Sequence, residues 1–244
     1  MTDKEKVSKF NKEISYIKNS DVKKLTKEVL KNADDWFFIE PASSSGKYHP
    51  EFALGPGGLV MHTKAVVYFL NELFRSEMYN IDEYHQDLLY ISAIAHDIKK
   101  YGESSNTGHT VKNHPELASK YVDTINKEKG NILKNKDIDF IKDCINKHMG
   151  IWGDVKPKNE SEKILHIADL LASRREIDIK FTKEEIKEAK PNLNEYIVDF
   201  GQYNGKPITD VPVDYLNWCV KNIKNNKVFV KYAKQILKEH EAGK

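Results

Sequence analysis

Sulfur, arginine and unbroken apolar sequence are all scarce in this chain. Two cysteines among 244 residues, Cys144 and Cys219, are too few for a disulfide framework. Each lies in an apolar helical pattern (FIKDCI, YLNWCV) and reads as a reduced core thiol. No run approaches the ~18 apolar residues of a membrane span. The opening MTDKEKVSKFNKEISYIK has no apolar stretch for a signal peptide, so a cytoplasmic protein is expected. Charge of one sign is missing too: 39 basic against 37 acidic residues leave a net charge of +2. No global field draws the chain to nucleic acid, although a local basic patch can. Only Arg75, Arg174 and Arg175 are arginine, so lysine coats the surface and each arginine needs a reason. What remains is 39% hydrophobic and 10% aromatic, enough for a sizeable core in one large domain, or one domain with a small appendage. Collagen-like, low-complexity and disulfide-stapled classes are excluded.

Residues 4–32 read as one or two amphipathic helices, with Val7, Phe10, Ile14 and Ile17 on one stripe and Asp21 as a cap. A loop dense in Pro, Gly and Ser follows at 41–58. LVMHTKAVVYFLNELF (59–74) is apolar almost all round and is expected to be a buried helix; DLLYISAIAHDIKKYG (87–102) is another, ended by Gly102. Helices are also expected over 114–126, 137–149 and, capped by Ser161, 161–177. From about Pro191 the character changes: Asn204-Gly205 between short β-like runs is a hairpin signal, and two helices follow. The expected architecture is an all-α helical body, 1–185, with a small α+β module, 191–244, made of a short hairpin plus helices.

Several polar groups interrupt the apolar helical segments: His62 in LVMHTKAVV, His96-Asp97 in ISAIAHDIKK, and Asp169 in HIADLL. An unpaired buried imidazole or carboxylate costs on the order of 1–3 kcal/mol or more. Any one of these alone is ordinarily a satisfied core residue. Several together, on separate helices, are satisfied at once by a shared cation. Imidazole and carboxylate without thiolate suit Mn²⁺, Fe, Zn²⁺ or Mg²⁺. Neighbours on a helix point about 100° apart, so His96 and Asp97 share one site most simply if Asp97 bridges two cations.

Taken in order, GGLVMHT, AHDIKK, HPELAS, NKHMG and IADLLASR resemble the HD-domain superfamily of metal-dependent phosphohydrolases, over about residues 58–175. The resemblance implies an all-α HD-domain bundle. The family pattern H…HD…D falls on His62, His96, Asp97 and Asp169, and the two further histidines of the binuclear branches fall on His114 and His148. It therefore implies two divalent ions (Mn, Fe, Mg, Zn or Ni), a bridging hydroxide and phosphodiester cleavage. Lys100 matches the family's HD-x-x-K lysine, expected to bind a substrate phosphate. His109 is either a proton donor to the leaving oxygen or an exposed loop histidine. His166, three before Asp169, is either a support for the ligands or a bystander. The loop SSSGKYHPEFALGPGG is similar to stretches in phage and bacterial HD proteins; Ser44, Ser45, Lys47 and His49 either line a phosphate or nucleotide pocket or belong to a solvated loop. Arg174 and Arg175 follow Asp169 on the same expected helix, as a phosphate fork or a surface pair.

VDFGQYNGKPITDVPVDYLNW (about 197–220) resembles a small module found behind the catalytic domain of exonuclease X-type enzymes. Its aromatic face, Phe200, Tyr203, Tyr215 and Trp218, reads first as a miniature core and second as a base-stacking platform. The expectation is a divalent-metal phosphodiesterase on a nucleotide or single-stranded nucleic acid. GGLxxHT also resembles the opening of HD-type 3′–5′ exoribonucleases. A nucleoside mono- or triphosphate phosphohydrolase is the alternative, and a non-catalytic nucleotide-sensing module the reading from another class. No membrane partner is expected.

Overall fold

A computed structural model of the chain describes residues 1–43, 46, 49–103, 109–177, 179–189, 196–224 and 226–242. The chain divides into two compact units, Met1–Ala189 and Lys190–Lys244.

In the larger unit, the N-terminal segment holds three helices: α1 (Asp3–Ser8), α2 (Asn11–Tyr16) and α3 (Ser20–Lys31). The break before α3 falls at Ile17, whose ψ of 123° is extended. Asn19, not Asp21, caps α3, its side chain accepting from the Asp21 and Val22 N–H groups at 3.0 and 3.1 Å. Asp21 is a first-turn acid instead, favourable to the helix dipole. Next come α4 (Gly58–Arg75) and α5 (Glu83–Ala95), then α6 (His114–Glu128), α7 (Asn135–Lys147), α8 (Glu160–Ala172) and α9 (Lys183–Ala189). Every residue of α4 from Gly58 to Val67 is buried, as an all-round apolar helix must be. It packs against α5 and α8, while α7 lies against α5, α6 and α8.

Three helix ends differ from expectation, and each matters for the site. α5 stops at Ala95, so His96 is its C-terminal cap and Asp97 lies beyond it. There the backbone tightens, with Ile98 N–H donating to Ala95 O at 3.0 Å and Lys100 N–H to Asp97 O at 2.9 Å; Gly102 (φ +96°) ends this turn rather than the helix. α8 is capped by Asn159, paired reciprocally with Glu162, and not by Ser161. It ends at Ala172, which puts Arg174 and Arg175 outside the helix.

The segment ahead of α4 is held by its backbone. Tyr101 Oη donates to Pro41 O at 2.7 Å, Ala42 N–H to Ala53 O at 3.0 Å, and Leu59 N–H to Glu40 O at 2.9 Å. A Cβ at Gly58 would lie 2.2 Å from Ala53 O, so only glycine fits that close approach.

The smaller unit contains α10 (Val213–Asn222) and α11 (Lys227–Ala242) around a core of Val198, Ile208, Val211, Leu216, Cys219, Phe229, Tyr232 and Ala233. Among the described residues its strand pairing is one isolated antiparallel bridge, Ile197 to Pro207. Asn204 (φ −53°, ψ 132°) and Gly205 (φ +81°) form a type II turn, closed by Lys206 N–H to Tyr203 O at 3.1 Å. The primed turn of a two-residue hairpin is thus absent here. No helix among the described residues is long and apolar enough to cross a membrane.

Candidate metal centre

Five helices bring six polar side chains to one buried point. His62 comes from the second turn of α4, His96 and Asp97 from just after α5, His114 from the start of α6, His148 from just after α7, and Asp169 from α8. The four histidines and Asp97 are at most 2% exposed, which water alone cannot sustain for charged or unpaired groups.

Three of the rings are aimed by the same local device. Nδ1 of His96, His114 and His148 each contacts the carbonyl three residues earlier: Ala93 O at 2.7 Å, Val111 O at 2.8 Å and Ile145 O at 2.7 Å. A carbonyl only accepts, so each Nδ1 carries the proton and each Nε2 presents a lone pair. Those lone pairs converge. His114 Nε2 lies 3.3 Å from His148 Nε2 and 3.1 Å from Asp97 Oδ1. Acceptors that close repel one another unless a cation lies among them.

Asp97 turns one oxygen to each side of the cluster. Oδ1 faces His114 at 3.1 Å and His148 at 3.7 Å; Oδ2 faces His96 at 3.5 Å and His62 at 3.8 Å. Asp169 Oδ1 completes the second side, 3.1 Å from His62 Nε2 and 3.7 Å from His96 Nε2. His62 Nε2, His96 Nε2 and Asp97 Oδ1 are buried without a hydrogen-bond partner. Two overlapping donor sets, His62–His96–Asp169 and His96–Asp97–His148, have the spacing to hold a metal ion. A nitrogen- and oxygen-only donor set with orphaned acceptors fits a divalent cation.

The electrostatics agree. Burial holds His62 below the ordinary imidazole range and pulls His148 down to about 3, which keeps both rings neutral and able to ligate. Burial opposes the charged form of His96 as well, but the Asp97 carboxylate outweighs it and raises that ring. For Asp97 and Asp169, burial pushes upward and is overcome, by Lys100 and His96 for the first and by His62 and His96 for the second, so both stay ionised.

Around this core, Lys100 is buried with its ammonium 2.5 Å from Asp97 Oδ2. His49 reaches the cluster edge: its ring stands 5.0 Å from that of His62, its Nε2 is 3.5 Å from Ser173 Oγ, and its buried Nδ1 has no partner. Burial lowers His49 to about 3. His166 braces His148, its Nδ1 donating to His148 O at 2.7 Å. Its ring fills the space where a Cβ of Gly150 would come within 2.1 Å, and Gly150 has a φ of +57°. His109 is exposed, and His114 is the residue that enters the cluster. Arg174 and Arg175 are exposed, and the Arg174 guanidinium lies over the Trp152 ring at 5.8 Å. Ser44, Ser45 and Lys47 lie outside the described residues. Sequence reasoning missed Trp152 and Ser173, whose neighbours Arg174 and His49 lie far along the chain or beyond a turn and leave no local pattern.

All four imidazoles and both carboxylates fall within residues 59–174, the stretch that matches the HD-domain family model. The chain is also similar to the protein named 3′-5′ exoribonuclease YhaM. The Listeria welshimeri protein is 27% identical over 183 residues, 72% of this chain and 54% of that one. The Listeria innocua and Listeria monocytogenes proteins of the same name are each 26% identical over the same shares. The chain thus spans about half the length of the curated relatives it matches. No solved structure matches it at comparable significance.

Proposed function

We propose that the chain is a divalent-metal phosphodiesterase that shortens a nucleic-acid strand from its 3′ end. The observation that carries this reading is Asp97, whose two oxygens face different donor groups, as a carboxylate shared by two ions requires. His62, His96 and Asp169 would hold one ion, and His114 and His148 the other. Such a pair supplies Lewis acidity, activating water and drawing charge from a phosphoryl oxygen. The chain's own groups then orient the diester. Lys100, anchored on Asp97 Oδ2, offers the remaining hydrogens of its ammonium to a phosphate oxygen. The His49 Nδ1, buried and unpaired, offers a polar contact at the rim. The similarity to proteins named 3′-5′ exoribonuclease favours a polymer over a mononucleotide.

The test is a Mn²⁺-supplemented panel of bis-p-nitrophenyl phosphate, nucleoside triphosphates, cyclic dinucleotides and 5′-end-labelled single strands, with elemental analysis of the protein. About two ions per chain, diester turnover and a 3′-shortened ladder are expected. Hydrolysis confined to nucleoside triphosphates would overturn the diester reading, and at most one ion would overturn the bridge.

A further inference from the structure

The core of the smaller unit uses only part of the aromatic surface that its sequence carries. Phe200 packs inward on Phe229, ring centroids 4.8 Å apart. Tyr203, Tyr215 and Trp218 remain outside the core. Tyr203 stands 4.8 Å from Tyr215, and Tyr215 stands 6.0 Å from Trp218 with ring planes 26° apart. Trp218 is 55% exposed, a large solvent-facing area for an indole that the fold does not use. The row is anchored at its centre by one hydroxyl. The Tyr215 hydroxyl sits against Gly201, where a Cβ would approach within 2.9 Å, and it accepts from the Gln202 N–H.

Cations flank the row. Lys206 Nζ lies over the Tyr203 ring at 6.0 Å. Lys221, exposed, follows Trp218 by three positions on the same face of α10. The charge balance points the same way: residues 190–244 carry nine lysines and six acidic residues, so the positive excess of the chain resides there. Aromatic rings are also common at protein interfaces, but lysine is depleted there, and here lysines end the row. Stacked rings ended by ammonium groups match a different ligand, in which flat bases lie on the rings and phosphates meet the cations.

We infer that Tyr203, Tyr215 and Trp218, with Lys206 and Lys221, form a sequence-tolerant binding site for single-stranded nucleic acid. It needs no metal and does not depend on the phosphodiesterase reading. The test is fluorescence anisotropy of a 5′-fluorescein-labelled 12-mer of uridine or thymidine with the full chain in excess EDTA, so that neither metal nor turnover contributes. Trp218→Ala, at an exposed position, is expected to weaken binding about five- to hundredfold, the range for loss of one base stack. K206E with K221E is expected to lower the salt dependence by about one to two ions released. A wild-type chain that fails to bind either strand would overturn the site, and so would Trp218→Ala binding like wild type. Conversion of a wild-type dimer to a monomer by Trp218→Ala, with strand affinity unchanged, would assign the row to a protein contact instead.

Discussion

Lys100 separates two roles that a buried lysine beside a metal cluster can have. Its ammonium lies 2.5 Å from Asp97 Oδ2, so it adds positive charge where cations must bind. Replacing it by alanine removes a competitor of the metal while deleting a donor to the phosphate. Lys100→Ala is therefore expected to keep its ions by elemental analysis and lose about 10²–10³ in diester turnover. Loss of metal in that variant would mean that the lysine holds the site together. Gly150 makes the complementary case. A Gly150→Ala side chain meets the His166 ring and forces a left-handed backbone on a residue with a Cβ. His166 must then release His148 O, and the ligand ring moves with its carbonyl. Weaker metal retention in a chelator titration is expected, together with a melting temperature lowered by several degrees.

At the scale of elements, α9 is tied to α2 by Lys12 and Glu185 at 2.6 Å. Burial pushes the Glu185 carboxyl up, but Lys12 and the Thr182 N–H and hydroxyl overcome it and bring it down to about 2. A carboxylate lowered on folding stabilises the folded state above its unfolded value near 4.3 and stops doing so as pH falls through the folded value. Amide exchange of α9, corrected for intrinsic rates, should thus quicken between about pH 4.5 and 2, and Glu185→Gln should abolish that step. The contribution is small, because Lys12 is more than half exposed.

Helices were legible wherever apolar residues recur every three or four positions, and the cluster of polar side chains was legible because His62 and Asp169 break that pattern. Helix ends were harder. Asp21 and Ser161 have the chemistry of caps, but Asn19 and Asn159 stand where the chain actually turns. α5 stops before Asp97, where the backbone tightens as His96 Nδ1 bonds to Ala93 O, and hydrophobic period alone contains no signal for it. His49 and Ser173, 124 positions apart, meet only through the fold.

For the whole molecule, the candidate metal ligands belong to the unit that ends at Ala189 and the aromatic row to the other. All six candidate ligands lie before residue 170, and among the described residues the smaller unit adds none. A chain truncated after Ala189 is expected to keep the turnover of bis-p-nitrophenyl phosphate within a few-fold while losing affinity for 12-mers. If the truncated chain stays folded by circular dichroism and yet loses diester turnover, the smaller unit must complete the catalytic body.

The spread of the candidate ligands along the chain, from His62 in α4 to Asp169 in α8, also sets a schedule. A ribosome adds about 5–20 residues per second, so on the order of 5–20 s separate the first ligand from the last. Throughout that interval the nascent chain carries imidazoles without their final carboxylate, and His62 lacks the neighbour that faces it at 3.1 Å. A cation captured early would meet an incomplete set and leave easily. The complete set exists only once α8 has docked on α4, so an ion held by all six side chains would be taken from the pool that surrounds the finished fold.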